Sequence, residues 1–355
     1  MRAFANSIIT WQKQFGRHHL PWQHTSDPYA VWVSEIMLQQ TQVAAVLGYY
    51  ANFMARFPTI AALAQASQED VLQYWSGLGY YSRARNLHQA AQKIEDAFGG
   101  VFPTQLDDII SLPGIGRSTA AAISTFALKQ PTPILDGNVK RVFARHFHVE
   151  GYTGLPKVAA QLWQIAEREN PAGQDEAADA IAYTQGLMDL GAALCTRTKP
   201  RCQACPVHAT CAAFAQNMVH SLPTPKPRKI TPQKEITMLI LLKSGEVLLE
   251  KRPQTGIWAG LWSLPEMETH EIASVQAQQR FGFEVEAQEP LAIVQHAFTH
   301  FKLAITPQPL HIIRHKNGNL PPGFISMPIQ DAIGAAIPTP VRNILLSLSS
   351  DAQYR

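Results

Sequence analysis

Cysteine is scarce in this chain: four among 355 residues, Cys195, Cys202, Cys205 and Cys211, all in one short stretch. A disulfide framework would spread its thiols along the chain, so this pattern excludes one and implies thiols kept reduced, as in the cytosol. Charge is scarce as well. Charged residues make up 16% of the chain against 46% hydrophobic, which excludes global disorder and leaves enough apolar material for a sizeable core. Neither sign of charge dominates. The net charge is +3, divided as +1 over residues 1–219, +4 over 220–234 and −2 over 235–355. A nucleic-acid partner must therefore be met by local patches rather than by a globally basic surface. Long apolar runs are missing too. The first ten residues carry Arg2 in a broken apolar pattern, too short and too polar for a signal peptide or membrane span.

What is present divides the chain in two. Residues 1–219 read as helices joined by short capped turns, with few β-branched runs. Asp27-Pro28 supplies an N-cap and an N1 proline for a long helix running through Glu35 towards Tyr50. Ser82 caps a helix ending near Gly99-Gly100, Thr104 one that stops at Pro113, and 157–169 and 175–194 have helical spacing. Residues 220–234 are rich in proline and cations with almost nothing to bury, the mark of an extended linker. From 235 the pattern becomes Ile236–Leu242, a Lys-Ser-Gly-Glu turn and Val247–Lys251, a β-hairpin opening an α/β domain over 235–355.

Four thiols at Cys-x6-Cys-x2-Cys-x5-Cys form one tetrathiolate site, loop 195–211. Zinc and a 4Fe-4S cluster both accept four thiolates. Structural zinc sites pair two C-x2-C knuckles across a long insert, and only one knuckle exists here, so the spacing favours the cluster. Arg197, Lys199 and Arg201 between the first ligands suit a phosphate backbone. This cysteine spacing resembles the endonuclease III superfamily of DNA glycosylases. Further upstream, Leu112-Pro-Gly-Ile-Gly-Arg-Ser118 joins two helices through Gly114 and Gly116, whose turn exposes N–H groups at a helix start to an anion. It resembles the superfamily's helix-hairpin-helix.

Two carboxylates carry the chemistry. Asp136 precedes a helical pattern beginning at Asn138 and, read alone, is as readily a helix cap as a catalyst. The resemblance implies the catalytic aspartate, held ionised by helix N–H groups beside a sugar cation, with Asn138 orienting it or the water. Glu35, among Trp32, Val33, Ile36 and Met37, suits a partly desolvated carboxyl with a raised pKa, although a glutamate on a helix is more often surface. Ser34-Glu-Ile-Met-Leu-Gln-Gln-Thr41 is similar to the distinguishing motif of the MutY family, the adenine DNA glycosylases within that superfamily.

The same resemblance implies that Tyr80, in Trp75–Leu87, wedges into the base stack and that Leu38 and Gln40 probe the opposite strand. It also sets Ser118 where strand-nicking relatives carry a lysine nucleophile. Gly256–Pro265 resembles a MutT-related domain, whose Arg-Glu-x-x-Glu-Glu metal helix is absent from 270–282. Phe298, Thr299 and His300 match a lesion-reading loop, with threonine in place of serine. The expectation is multidomain: an all-α helix-hairpin-helix glycosylase domain (1–219) with a 4Fe-4S cluster loop, a linker, and an α/β MutT-like 8-oxoguanine-recognition domain. It predicts a monomeric, cytoplasmic, nucleoid-associated, monofunctional enzyme acting on double-stranded DNA with adenine opposite 8-oxoguanine or guanine, and no membrane. An endonuclease III-like pyrimidine glycosylase-lyase and a non-catalytic cluster-bearing DNA sensor are the rivals.

Overall fold

Caps and prolines in the first half set its helices. In the computed structural model, which describes residues 3–171, 177–227, 231–316 and 320–350, α1 (Ala3–Phe15) is followed by α2 (Pro28–Leu38). The Asp27 carboxylate accepts the Tyr29 N–H at 3.0 Å to cap α2. The expected run towards Tyr50 is two helices. α2 stops at Leu38, Gln40 takes a left-handed φ of 57°, and α3 (Val43–Arg56) begins afresh. Gln39-Gln40-Thr41-Gln42 offers no apolar face to keep a helix packed, and the Thr41 N–H closes a turn on the Leu38 carbonyl at 3.2 Å.

Next come α4 (Ile60–Gln65), α5 (Gln68–Trp75), α6 (Ser82–Phe98) and α7 (Leu106–Ile110). The N-cap of α7 is Gln105, one residue past the expected Thr104, and the helix ends at Ile110, short of Pro113. α8 (Arg117–Phe126), α9 (Gly137–His146), α10 (Pro156–Glu169), α11 (Ala177–Ala193) and the single turn α12 (Ala212–Ala215) complete the helical part. Residues 175 and 176, expected to begin α11, lie outside the described residues.

One compact unit comprises Met1–Ala64 with Gln89–Arg228. Phe4 and Ile8 from α1, Val139 and Phe143 from α9, Leu162 from α10, and Leu187 and Leu190 from α11 share its core. Burying each such side chain is worth about 1.5–3 kcal/mol. A satellite cluster of Ala213, Val219 and Leu222 draws in the start of the proline-rich segment. Leu222 is buried, its carbonyl accepts from Arg145 Nε at 2.8 Å, and Thr224 bridges to Tyr152. The segment expected to bury almost nothing is therefore docked at its first residues.

The second unit comprises Gln65–His88 with Lys229–Arg355. Its strands are β1 (Gln233–Lys243), β2 (Glu246–Lys251), β3 (Trp262–Ser263), β4 (Glu266–Met267), β5 (Phe283–Ala287), β6 (Val294–Ala297), β7 (Lys302–His315) and β8 (Phe324–Pro328). Its later helices are α13 (Ala273–Phe281), α14 (Ile329–Gly334) and α15 (Thr339–Ser350). The sheet runs β3-β2-β1-β7-β5, with β4 on β1, β6 on β7 and β8 on β2. β1 and β7 pair in parallel and the other pairs are antiparallel. The expected β1–β2 hairpin turns at Ser244 and Gly245, both at positive φ, as a two-residue loop requires. Met238–Leu242 are buried in succession rather than alternately, the pattern of a strand covered on both faces. The helix α13 packs Ala277 and Phe281 onto Leu239, Leu241 and Leu310.

Candidate active site

The helix α2 is buried almost throughout: Trp32, Val33, Ile36 and Met37 are each at most 2% exposed. Glu35 sits among them with little water to solvate its charge. Burial, reinforced by the negative charge of Asp136, pushes its pKa up from 4.5 to about 8. Asp136 is the N-cap of α9. One carboxylate oxygen accepts the Val139 N–H at 2.7 Å and the other the Asn138 side-chain amide at 3.4 Å. Burial pushes this carboxyl up too, against the Val139 and Asn138 N–H groups and the Arg141 charge, which pull it down. The helix N–H groups expected to favour its charged form do pull it down, but burial is the larger effect and pushes the other way. The pair comprises one acid poised to hold a proton near neutrality and one carboxylate with donors arranged around its charged form.

Contacts both within α9 and from distant parts of the chain hold Asp136 and the end of α2. Arg141 donates from Nη2 to Asn138 Oδ1 at 2.8 Å and to the Gly191 carbonyl at 2.7 Å, and from Nε to the Cys195 carbonyl at 2.7 Å. It thereby fixes the amide that donates to Asp136. At Gly191 an added Cβ would lie 2.5 Å from Asn138 Cβ and 3.1 Å from its Cα, so only glycine lets α11 approach α9 so closely. Gly191 was missed in the sequence because Asn138 lies far from it along the chain, and Arg141 because two of the carbonyls it fastens, those of Gly191 and Cys195, lie fifty or more positions away. Ser118 donates its hydroxyl to the Leu135 carbonyl at 2.7 Å, pinning the backbone that enters Asp136. Gln39 donates to Thr119 at 3.3 Å, tying the end of α2 to the same helix α8.

Of the hairpin glycines, Gly114 needs its freedom, with φ of 80°. Gly116, the N-cap of α8, has ordinary extended backbone, and a Cβ there would meet open space. Both are exposed. Leu38 is half-buried at the end of α2, and Gln40 is exposed in its left-handed turn.

Cys195, Cys202, Cys205 and Cys211 border one cavity, walled by Val142, Leu190, Leu194, Val207 and Phe214. Burial and the other cysteines' charges push the Cys205 thiol up to about 11. Arg145, 2% exposed, donates to Cys195 Sγ at 3.3 Å and to the Thr196 and Arg197 carbonyls at 2.8 and 3.3 Å. Four soft sulfurs facing one apolar-walled space suit a thiolate-bound group whose positive charge relieves their repulsion. Among the described residues no three His, Cys, Asp or Glu side chains are grouped to hold a single metal ion. Arg197, Lys199 and Arg201 are exposed, and Arg201 also donates to the Ala193 carbonyl at 2.9 Å.

In the second unit, Tyr80 is 47% exposed with φ of 49°. Phe298, Thr299 and His300 form the turn between β6 and β7, closed by the Phe298 N–H on the Phe301 carbonyl at 2.9 Å. The Phe298 ring stacks on Phe301 at 4.5 Å and tilts against the buried Trp258 at 5.4 Å. That aromatic base leaves Thr299 and His300 exposed at the tip.

Known proteins resemble both parts. Residues 33–168 match the family described as HhH-GPD superfamily base excision DNA repair protein, and residues 237–347 match the NUDIX domain. The chain is 35% identical to the adenine DNA glycosylase of Buchnera aphidicola subsp. Schizaphis graminum, over 96% of this chain and 97% of that protein. It is 34% identical to the human adenine DNA glycosylase, over 85% of this chain and 65% of that protein. Among solved structures, a thermostable thymine-DNA glycosylase matches with a TM-score of 0.54 at 28% identity, covering 60% of this chain and 95% of that one. A non-covalent endonuclease III–DNA complex shares the fold, with a TM-score of 0.50 at 18% identity, over 61% of this chain and 95% of that one. Among the described residues no helix is long and apolar enough to cross a membrane.

Proposed function

The chain belongs to the adenine DNA glycosylases of the HhH-GPD superfamily, and on that premise we propose that it excises adenine paired with 8-oxoguanine, or with guanine, from double-stranded DNA. The observation that carries the proposal is a half-buried glutamic acid on a buried helix, pushed up to about 8 by desolvation and by the charge of Asp136, the N-cap of α9. Adenine's glycosidic carbon is inaccessible within a duplex, so the nucleotide is first extruded. Glu35 gives its proton to N7 of the extruded purine. The C1′–N9 bond then breaks with its electron pair leaving on the base, which departs as neutral adenine. Asp136 stabilises the positive charge left on the sugar, and water adds at C1′, giving a proton back to the Glu35 carboxylate, to leave an abasic site. Asn138, held by Arg141, keeps the Asp136 carboxylate oriented.

Ser118 has no amine to form a Schiff base with C1′, and its hydroxyl is engaged with Leu135. The reaction therefore stops at the abasic site, as in a monofunctional glycosylase. Gly114, Gly116, Arg197, Lys199 and Arg201 meet phosphates, Leu38 and Gln40 face the opposite strand, and Tyr80 enters the stack. Phe298, Thr299 and His300 read the lesion, in a domain without the pyrophosphatase metal helix. Cys195, Cys202, Cys205 and Cys211 would hold a 4Fe-4S cluster. Bound there, it supplies four metal–thiolate links that order the loop. The domain assignment follows: glycosylase over 1–219, linker over 220–234 and lesion recognition over 235–355, in a cytoplasmic, nucleoid-associated monomer.

The test is a single-turnover panel of duplexes with adenine opposite 8-oxoguanine, adenine opposite guanine, and oxidised pyrimidines. Excision is expected from the first two, fastest opposite 8-oxoguanine, with the strand left intact. Release of oxidised pyrimidine with strand cleavage, or mismatch binding without excision, would overturn it.

A further inference from the structure

The stretch 76–80 holds three residues at positive φ: Gly77 at 101°, Gly79 at 76° and Tyr80 at 49°. Tyrosine in this region is strained, and such a conformation persists only where its surroundings over-determine it. Part of the support is internal. Trp75 Nε1 donates to the Gly79 carbonyl at 3.1 Å, and Arg83 Nη2 donates to the same carbonyl at 3.2 Å and to that of Leu78 at 3.4 Å. The Arg83 guanidinium also lies over the Tyr80 ring, 5.5 Å from its centroid.

The rest comes from the far end of the chain. Ser76 donates its hydroxyl to the Ile337 carbonyl at 2.9 Å and accepts from Arg342 Nη2 at 3.0 Å. Tyr81 donates to the same Ile337 carbonyl at 3.4 Å and accepts the Gly77 N–H at 3.3 Å. Arg342 is itself fixed, through Nε on the Ile333 carbonyl at 2.9 Å and Nη2 on the Ala335 carbonyl at 3.1 Å. Ser76 and Tyr81 are each 8% exposed and Ile337 is fully buried, so these bonds are sheltered from competing water. Both ends of the strained loop are thus fastened to the connection between α14 and α15, residues 333–342. Further along, Glu69 on α5 accepts from Trp262 Nε1 and pairs with Lys251 at 2.9 Å. Arg85 donates to the Ala259 carbonyl at 2.8 Å.

We propose that Arg342 is a positioning residue for mismatch recognition: through Ser76 and the Ile337 carbonyl it locks the Trp75–Tyr81 loop so that Tyr80 is presented in its left-handed conformation. This rests on the reading of Tyr80 as a DNA contact. The NUDIX-like domain consequently has two tasks: its own turn at 298–300 faces the lesion, and its last helix sets the loop that enters the stack. Arg342 touches no DNA.

Two measurements on the full-length protein separate the clamp from the DNA role. Amide hydrogen exchange over 76–83, without DNA, should quicken about three- to tenfold in Arg342→Met, which keeps the aliphatic stem and loses the donors. Ser76→Ala, a milder change that leaves α15 untouched, should do the same. Affinity for an adenine:8-oxoguanine duplex should fall by a similar factor in Arg342→Met, and that loss should vanish when Tyr80 is already alanine. A merely structural Arg342 would weaken binding equally in both backgrounds, and that result overturns the proposal. Unchanged exchange in both Arg342→Met and Ser76→Ala also overturns it. If exchange quickens while Tyr80→Ala alone leaves binding unaltered, the DNA role of Tyr80 fails and the clamp stands.

Discussion

Replacing Glu35 by glutamine tests catalysis and stability together, because one proton in a half-buried site governs both. The amide keeps the shape of the acid but has no proton to give. General acid catalysis is worth roughly 10²–10⁴ in rate, so single-turnover excision from an adenine:8-oxoguanine duplex should fall by at least that lower bound while duplex binding persists. In the wild type the rate should fall as pH rises through about 8, where Glu35 loses its proton. On the acid side it should fall as Asp136, pushed up by burial, becomes protonated. The two limbs belong to the pair jointly.

Stability moves with the same proton. Between 4.5 and about 8 the folded state holds a proton on Glu35 that the unfolded chain has released, so the unfolding free energy falls as pH rises across that window. At 1.36 kcal/mol per tenfold the full span is on the order of 5 kcal/mol, and partial exposure of the side chain reduces it to about 2–4 kcal/mol. Glutamine has nothing to titrate. Glu35→Gln should therefore gain stability relative to wild type between pH 5 and pH 9 by about that amount, read from urea midpoints at each pH. A wild-type rate flat to pH 9.5, or a stability gap that does not widen with pH, would refute the placement of that proton.

Asp136→Asn should abolish excision with binding retained, since the charge opposing the sugar cation is gone; a variant that excises normally while its unfolding midpoint falls would reduce Asp136 to a helix cap. Wild-type protein should give little borohydride-trapped complex, whereas Ser118→Lys should add strand nicking on a sequencing gel; efficient trapping by the wild type would contradict the monofunctional reading. Native protein should contain four iron per chain, and Cys202→Ser should lose them with weakened DNA affinity; stoichiometric zinc without iron would overturn the cluster. Alanine at Phe298, Thr299 and His300 should narrow the preference for 8-oxoguanine over guanine by about 1–3 kcal/mol per lost hydrogen bond, with excision from a bound mismatch little changed. Removing residues 220–355 is a poorer test, because residues 65–88 would lose partners such as Ile337 and Trp262 with it.

Local chemistry was legible in the sequence and distant contact was not. Asp27-Pro28 announced α2, Asp136 announced α9, and Ser244-Gly245 announced the first hairpin, because caps and turns act within a few residues. The end of α2 at Leu38 was overlooked although its cause is local, the polar run Gln39-Gln40-Thr41-Gln42 that leaves no apolar face to continue the helix. The two carboxylates were identifiable as residues, and their mutual influence was not, because it acts across about a hundred positions. Arg141 and Gly191 carried no local signal: an arginine in a basic helix and a glycine in a small-residue helix look ordinary until Asn138 lies between them. The docking of α5 with the second unit was hidden for the same reason.

That docking also sets an order of events during synthesis. Ser76 and its partner Arg342 are 266 residues apart, so at about 5–20 residues per second the ribosome delivers the partner roughly 13–53 s after the loop. Helices such as α1, α9 and α11 find each other sooner, within residues 1–193. The Tyr80 loop is therefore among the last parts of the molecule to settle. A chain released before residue 342 leaves the ribosome with Glu35 and Asp136 in place and the Tyr80 loop unfastened.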